Sequence, residues 1–143
     1  MPVGRKTYCG CLYYSANALA RNITRMAEKE FRPTGLAPSL AFVVMTVNRK
    51  PGITAGELSA IMQLQPSTVT RLVDKLEDNG YLRRHNEGRY IEVFPTSEAT
   101  RLNESLKSAW QSLHRRYSTM LGEQAANQLT AAIYAASSKL ESE

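Results

Sequence analysis

The sequence predicts a mainly α fold of about six helices, in which a helix-turn-helix is followed at once by a two-stranded hairpin. Three observations carry that reading. Apolar residues recur at helical spacing through most of the chain. Between Pro66 and Asp78, Val69, Leu72, Val73 and Leu76 fall at i, i+3, i+4 and i+7 and form one apolar stripe. Beyond Gly80 the period changes to two, with Ile91 and Val93 alternating with Tyr90 and Glu92.

The elements follow in order. Leu12, Ala16, Leu19, Ile23 and Met26 keep helical spacing, predicting a long first helix from about Tyr8, with its start near Gly10, to Phe31. Arg32, Pro33, Thr34 and Gly35 end it, since proline cannot extend the hydrogen-bond ladder. A second helix starts at Pro38 and runs to about Arg49; it is apolar nearly all round and therefore expected to be buried. After Lys50, Pro51 and Gly52, Thr54 with Glu57 forms a capping-box pattern, opening a third helix that is expected to bury Leu58, Ile61 and Met62. Gln63, Leu64 and Gln65 make the turn, Pro66 opens the fourth helix, and Asp78, Asn79 and Gly80 close it. Tyr81 to Arg84 and Arg89 to Phe94 are the hairpin strands, separated by His85, Asn86, Glu87 and Gly88. Thr96 caps a fifth helix carrying Leu102, Leu106, Ala109, Trp110, Leu113 and Tyr117. A sixth follows Gly122, with Ala125, Leu129, Ala132, Ile133, Ala136 and Leu140 on one side.

Composition bounds the function. At 143 residues the chain has the length of one domain. A net charge of +5 is compatible with a polyanionic partner, but the excess is N-terminal: residues 1–32 carry six basic and two acidic side chains, against seven and six in residues 33–96. Cys9 and Cys11 stand too close together to staple a fold, which is the cysteine usage of a reducing compartment. No apolar run reaches the roughly 18 residues of a membrane span, and no signal-peptide core is visible, so the expected location is the cytoplasm.

A helix, a tight turn, a helix with a polar outer face and a basic-tipped hairpin together make a winged helix-turn-helix. Leu58, Ser67, Thr68, Val69, Thr70, Arg71, Leu72, Val73, Asp74, Lys75, Leu76, Glu77, Gly80, Leu82 and Arg84 resemble the core signature of the MarR family, with Thr96 where that family restarts helix. The resemblance implies one domain over residues 1–143, with residues 53–96 as the DNA-binding part. Residues 1–32 and 97–143 would supply helices that interlock into a homodimer. The implied partner is a pseudo-palindromic DNA duplex, with the two recognition helices in successive major grooves.

Carried over by position, Ser67, Thr68, Thr70 and Arg71 face bases and phosphates, and Lys75 the backbone. Asp74 is read as orienting Arg71 or Lys75. Glu87, Gly88 and Arg89 stand where the family's wing has an acid holding a minor-groove arginine, which makes Arg89 the leading single DNA contact. This wing is shorter than the family's usual pattern.

The same resemblance implies an effector. Cys9, with Tyr13 four residues on, is similar to the start of the first helix in the family's thiol-based peroxide sensors; a thiol at a helix N-terminus would oxidise readily, and Cys11 could resolve it. The sensors' further tyrosines are missing, Ile23, Pro38 and Ala41 occupying those places. The alternative effector is a small aromatic ligand in a cleft lined by Tyr13, Tyr14, Phe42 and Trp110. A further alternative is a winged-helix module that docks protein and reads no DNA. No nucleophile elbow, phosphate loop or acid-base carboxylate pair points to an enzyme, no ligand spacing points to a metal site, and no cofactor is implied.

Overall fold

The structure, a computed structural model, describes residues 2–141. Helix α1 (Leu12–Phe31) leads through a 3-10 turn at Arg32–Thr34 into α2 (Pro38–Arg49). Pro38 sits at the first helical position, where its missing N–H costs nothing. Leu40, Ala41, Val43, Val44, Met45 and Val47 are all buried, so α2 is the central helix that its sequence predicts. The long α5 (Ser97–Leu121) packs against α1, α2 and α6 (Glu123–Leu140). Two polar contacts pin that packing. Arg116 pairs with Glu30 of α1 at 2.9 Å, and Asn48 of α2 donates to the Ala99 carbonyl at 2.9 Å.

Between α2 and α5 lie β1 (Ile53–Thr54), α3 (Ala55–Met62), α4 (Pro66–Asp78), β2 (Leu82–Glu87) and β3 (Tyr90–Pro95). Thr54 caps α3 by accepting from the Glu57 N–H at 3.1 Å. The Glu57 carboxylate in turn takes the Lys50 ammonium, the Thr54 hydroxyl and the Thr54 backbone N–H, and these contacts, Lys50 foremost, lower the Glu57 carboxyl below its usual range. Gln63, with φ 55°, turns the chain between the two helices. Val69, Val73 and Leu76 carry α4 onto the core beside Leu58, Leu82 and Val93, and Leu72 is half-buried against it. Thr96 caps α5, accepting from the Ala99 N–H, while its hydroxyl donates to the Gly80 carbonyl at 2.7 Å. One threonine thus ties the end of the recognition segment to the start of α5.

Four expectations are corrected. First, α1 begins at Leu12 rather than near Tyr8; residues 5–10 form turns, the Cys11 N–H bonds the Tyr8 carbonyl, and Cys11 is extended at the helix cap. Gly10, which costs about 1 kcal/mol in a helix interior, stands just outside it. Second, Ile61 is 57% exposed, because the elements packed on α3 cover its Leu58 and Met62 side. Third, the sheet has three strands in the order β1-β3-β2, Ile53 facing Val93 and Thr54 facing Glu92. A two-residue strand has no periodicity to read; only its partner makes it one. Fourth, the hairpin is longer and its loop shorter. Glu87 pairs with Tyr90 across a two-residue turn of Gly88 and Arg89, and Gly88 takes φ 58° as the first position of a type II′ turn requires. Among the described residues no helix is long and apolar enough to cross a membrane.

Candidate nucleic-acid interface

The outer face of α4 presents Ser67, Thr70, Arg71 and Lys75 to solvent, with Thr68 half-buried at its edge. Arg71 donates to the Thr68 hydroxyl at 3.4 Å, and the Thr70 hydroxyl donates back to the Pro66 carbonyl at 3.0 Å. Thr70 is thereby left with oxygen lone pairs outward. Five of the six residues expected on DNA from the sequence are therefore on one helix face, and the sixth, Arg89, lies at the hairpin tip.

Arg84 organises this face. From β2 its guanidinium donates to Glu77 at 3.0 Å and to the Thr70 carbonyl at 3.3 Å, and pairs with Asp74; its backbone N–H also meets Glu77 at 3.1 Å. Asp74 therefore does not orient Arg71 or Lys75, as the sequence suggested. The strand brings a third cation that sequence spacing could not place beside it. The consequence is electrostatic: the carboxylates of Asp74 and Glu77 are drawn toward the wing, while Arg71, Lys75 and Arg89 have no ion pair among the described residues. A basic side chain left unpaired beside a compensated acid can meet phosphate at lower cost.

The wing departs from its expected form as well. Glu87 stands where an acid would hold Arg89, but its carboxylate lies 2.8 Å from His85 Nε2. Cross-strand pairing puts Glu92 directly opposite His85, and the donor atoms of His85, Glu87 and Glu92 lie within 4.8 Å of one another. Sequence spacing gives no hint of this cluster, since it depends on strand register.

Phe42 and Trp110 meet as expected, edge to face with ring centres 6.0 Å apart, at a cavity of about 340 Å³ between α2 and α5. Tyr13 and Tyr14 are not there. They sit in the first turn of α1, exposed, against each other and against Tyr8, which stacks on Tyr14 at 4.7 Å. In their place Arg49 and Lys107 flank the aromatic pair. A sequence reading that searched for aromatics alone passed over both cations. Cys9 and Cys11 are exposed and precede α1 rather than lying within it; the Ser15 hydroxyl donates to the Cys9 carbonyl.

A second cavity of about 420 Å³ runs between α1, α5 and α6, walled by Leu19, Ile23, Leu121, Leu129 and Ile133 with almost no polar surface. Ile133 is 48% and Tyr134 64% exposed along the same helix.

Comparison with known proteins places these features in context. The MarR family profile matches residues 36–87, the segment from the start of α2 to the end of β2. The chain is 26% identical over 113 residues to the transcriptional repressor MdtR of Bacillus subtilis, covering 77% of this chain and 73% of that protein. Its fold matches a single-site mutant of Escherichia coli MarR, solved with operator DNA, at a TM-score of 0.79 and 17% identity over 94% of this chain and 99% of the other. It also matches CouR of Rhodococcus jostii, solved with p-coumaroyl-CoA, at 0.69 and 24% over 85% and 88%.

Proposed function

We propose that this chain, a MarR-type winged helix-turn-helix transcriptional regulator by its profile match, its curated relatives and its fold, acts as a homodimeric repressor that reads a two-fold symmetric duplex and releases it on binding an effector. The observation that carries the DNA reading is the exposed Ser67, Thr70, Arg71 and Lys75 face, with Asp74 and Glu77 tied back by Arg84. Arg71 reaches base edges and Arg89 the minor groove beside them. That MdtR is a repressor favours the same sense of regulation here.

The test is selection of a duplex from a random-sequence pool, followed by titration at several salt concentrations. Binding as two chains per duplex is expected, weakening steeply with salt. Arg71→Ala is expected to lose about 1–3 kcal/mol and to relax sequence preference, and Arg89→Ala to weaken binding to all duplexes. Unchanged affinity in both would remove them from the interface. If no duplex is selected and a protein co-purifies with the chain, the winged helix is a docking module.

For the effector, the cavity beside Phe42 and Trp110 supports an aromatic anion: it would pack against the two rings, and Arg49 and Lys107 would take its charge. Trp110 is the sole tryptophan, so its fluorescence reports occupancy directly. Salicylate-type aryl carboxylates are expected to quench it and to weaken DNA binding, and Lys107→Ala to raise the required concentration about tenfold, the equivalent of 1.4 kcal/mol. No quenching by any aryl carboxylate would empty the pocket of this role.

The thiol switch is the second effector reading, supported by the exposure of both sulfurs. Peroxide is then expected to weaken DNA binding by the wild type and leave Cys9→Ser unaffected. Equal affinity before and after peroxide would end it.

A further inference from the structure

We propose that the outer face of the wing is a binding site for a divalent cation of the zinc class, ligated by His85, Glu87 and Glu92, and that the bound ion tightens DNA binding. The second part rests on the DNA-binding reading above; the first does not.

Strand register builds the site. His85 faces Glu92 directly across the β2–β3 ladder, and Glu87, two residues beyond His85, shares its face. One nitrogen and two carboxylate oxygens come within 4.8 Å of one another, with His85 Nε2 2.8 Å from Glu87. A tetrahedral zinc ion holds nitrogen and oxygen ligands at about 2.0–2.2 Å, hence about 3.4 Å from each other. Imidazole with carboxylate suits zinc and its neighbours better than magnesium or calcium, which prefer oxygen alone.

Charge links the site to the wing's role. Glu87 meets the His85 imidazole, and among the described residues neither Glu87 nor Glu92 has a lysine or arginine partner, a condition they share with Glu28, Asp78, Glu104, Glu123 and Glu141. Both carboxylates stand on the hairpin whose tip carries Arg89. Two carboxylates there, with no lysine or arginine to offset them, oppose the approach of phosphate. A divalent cation cancels them and leaves Arg89 to act.

The experiment is zinc titration of the full chain, prepared metal-free and without a histidine tag, against a chromophoric zinc indicator. Operator affinity is measured in parallel with and without zinc, using a duplex selected by the metal-free chain. One ion per chain is expected, with affinity reduced at least tenfold in both His85→Ala and Glu92→Gln. Cys9→Ser/Cys11→Ser, which removes the competing thiols, should bind like the wild type. His85 is exposed and Glu92 half-buried on the same strand face, and circular dichroism checks that each variant is folded. Wild-type zinc affinity in His85→Ala, or loss of binding in the double cysteine variant, overturns the site. Zinc bound through His85 with operator affinity unchanged overturns the regulatory part. Zinc bound through His85 by a chain that selects no duplex upholds the site and fails the transcriptional reading instead.

Discussion

Arg84→Ala is expected to weaken operator binding about a hundredfold, comparable with the loss of Arg71 from α4, although Arg84 need not touch DNA. Its guanidinium holds Asp74, Glu77 and the Thr70 carbonyl in one network while only 25% exposed. Removing it frees two carboxylates on or beside the face that meets phosphate, and it unlinks α4 from β2. Ion pairs whose acids are this exposed contribute about 1 kcal/mol or less each, so a modestly lower melting temperature should accompany the loss. A double-mutant cycle separates the two effects. If Arg84 acts by restraining the acid, Arg84→Ala/Asp74→Asn should recover a large part of the DNA affinity while remaining less stable than wild type. Arg84→Ala that binds DNA normally at a temperature where it is fully folded would rule out the restraining role.

The second large effect is expected on the opposite side of the molecule. Ile133→Glu places a charge on the apolar wall shared by α1, α5 and α6. In a dimer that closes over this wall the carboxylate would be desolvated with no partner, at a cost of several kcal/mol per interface. A two-fold interface presents the same position twice. In sedimentation at equal concentration the wild type is expected to run as a dimer and the variant as a monomer. On the proposed two-fold reading each winged helix alone takes only half a site, so operator affinity should fall by at least a thousandfold. The residue is 48% exposed in the single chain, so the fold itself should survive. A variant that remains dimeric would move the interface elsewhere.

Much of this molecule is legible in its residues alone. Pro38, Pro66 and Thr96 start helices because of what each does to the first turn, and Gly80 and Gly88 turn the chain because positive φ is cheap for glycine alone. The stripe of Val69, Val73 and Leu76 points inward, so Ser67, Thr70, Arg71 and Lys75 must point out. Such features are local, set within one or two turns by backbone geometry and helical period.

What sequence reasoning missed depends on long-range contact. Asp74 has Arg71 and Lys75 as near neighbours along the helix, but the strand delivers Arg84 from ten residues away with better geometry. Tyr13 and Tyr14 were expected beside Phe42 and Trp110 because they are aromatic. The entry of α1 takes them elsewhere, and Arg49 and Lys107 occupy the flanks of the pocket. His85, Glu87 and Glu92 have no meaning until β2 and β3 are paired in register.

By itself, then, the sequence determined the order of elements, the inward stripe of α4 and the identity of the side chains left outside it, since each follows from local backbone preference and periodic burial. Only the tertiary structure decided how those side chains are charged and steered. Electrostatic partners and pocket walls are chosen by distance in space, and the register of the hairpin and the crossing of α2 with α5 set those distances.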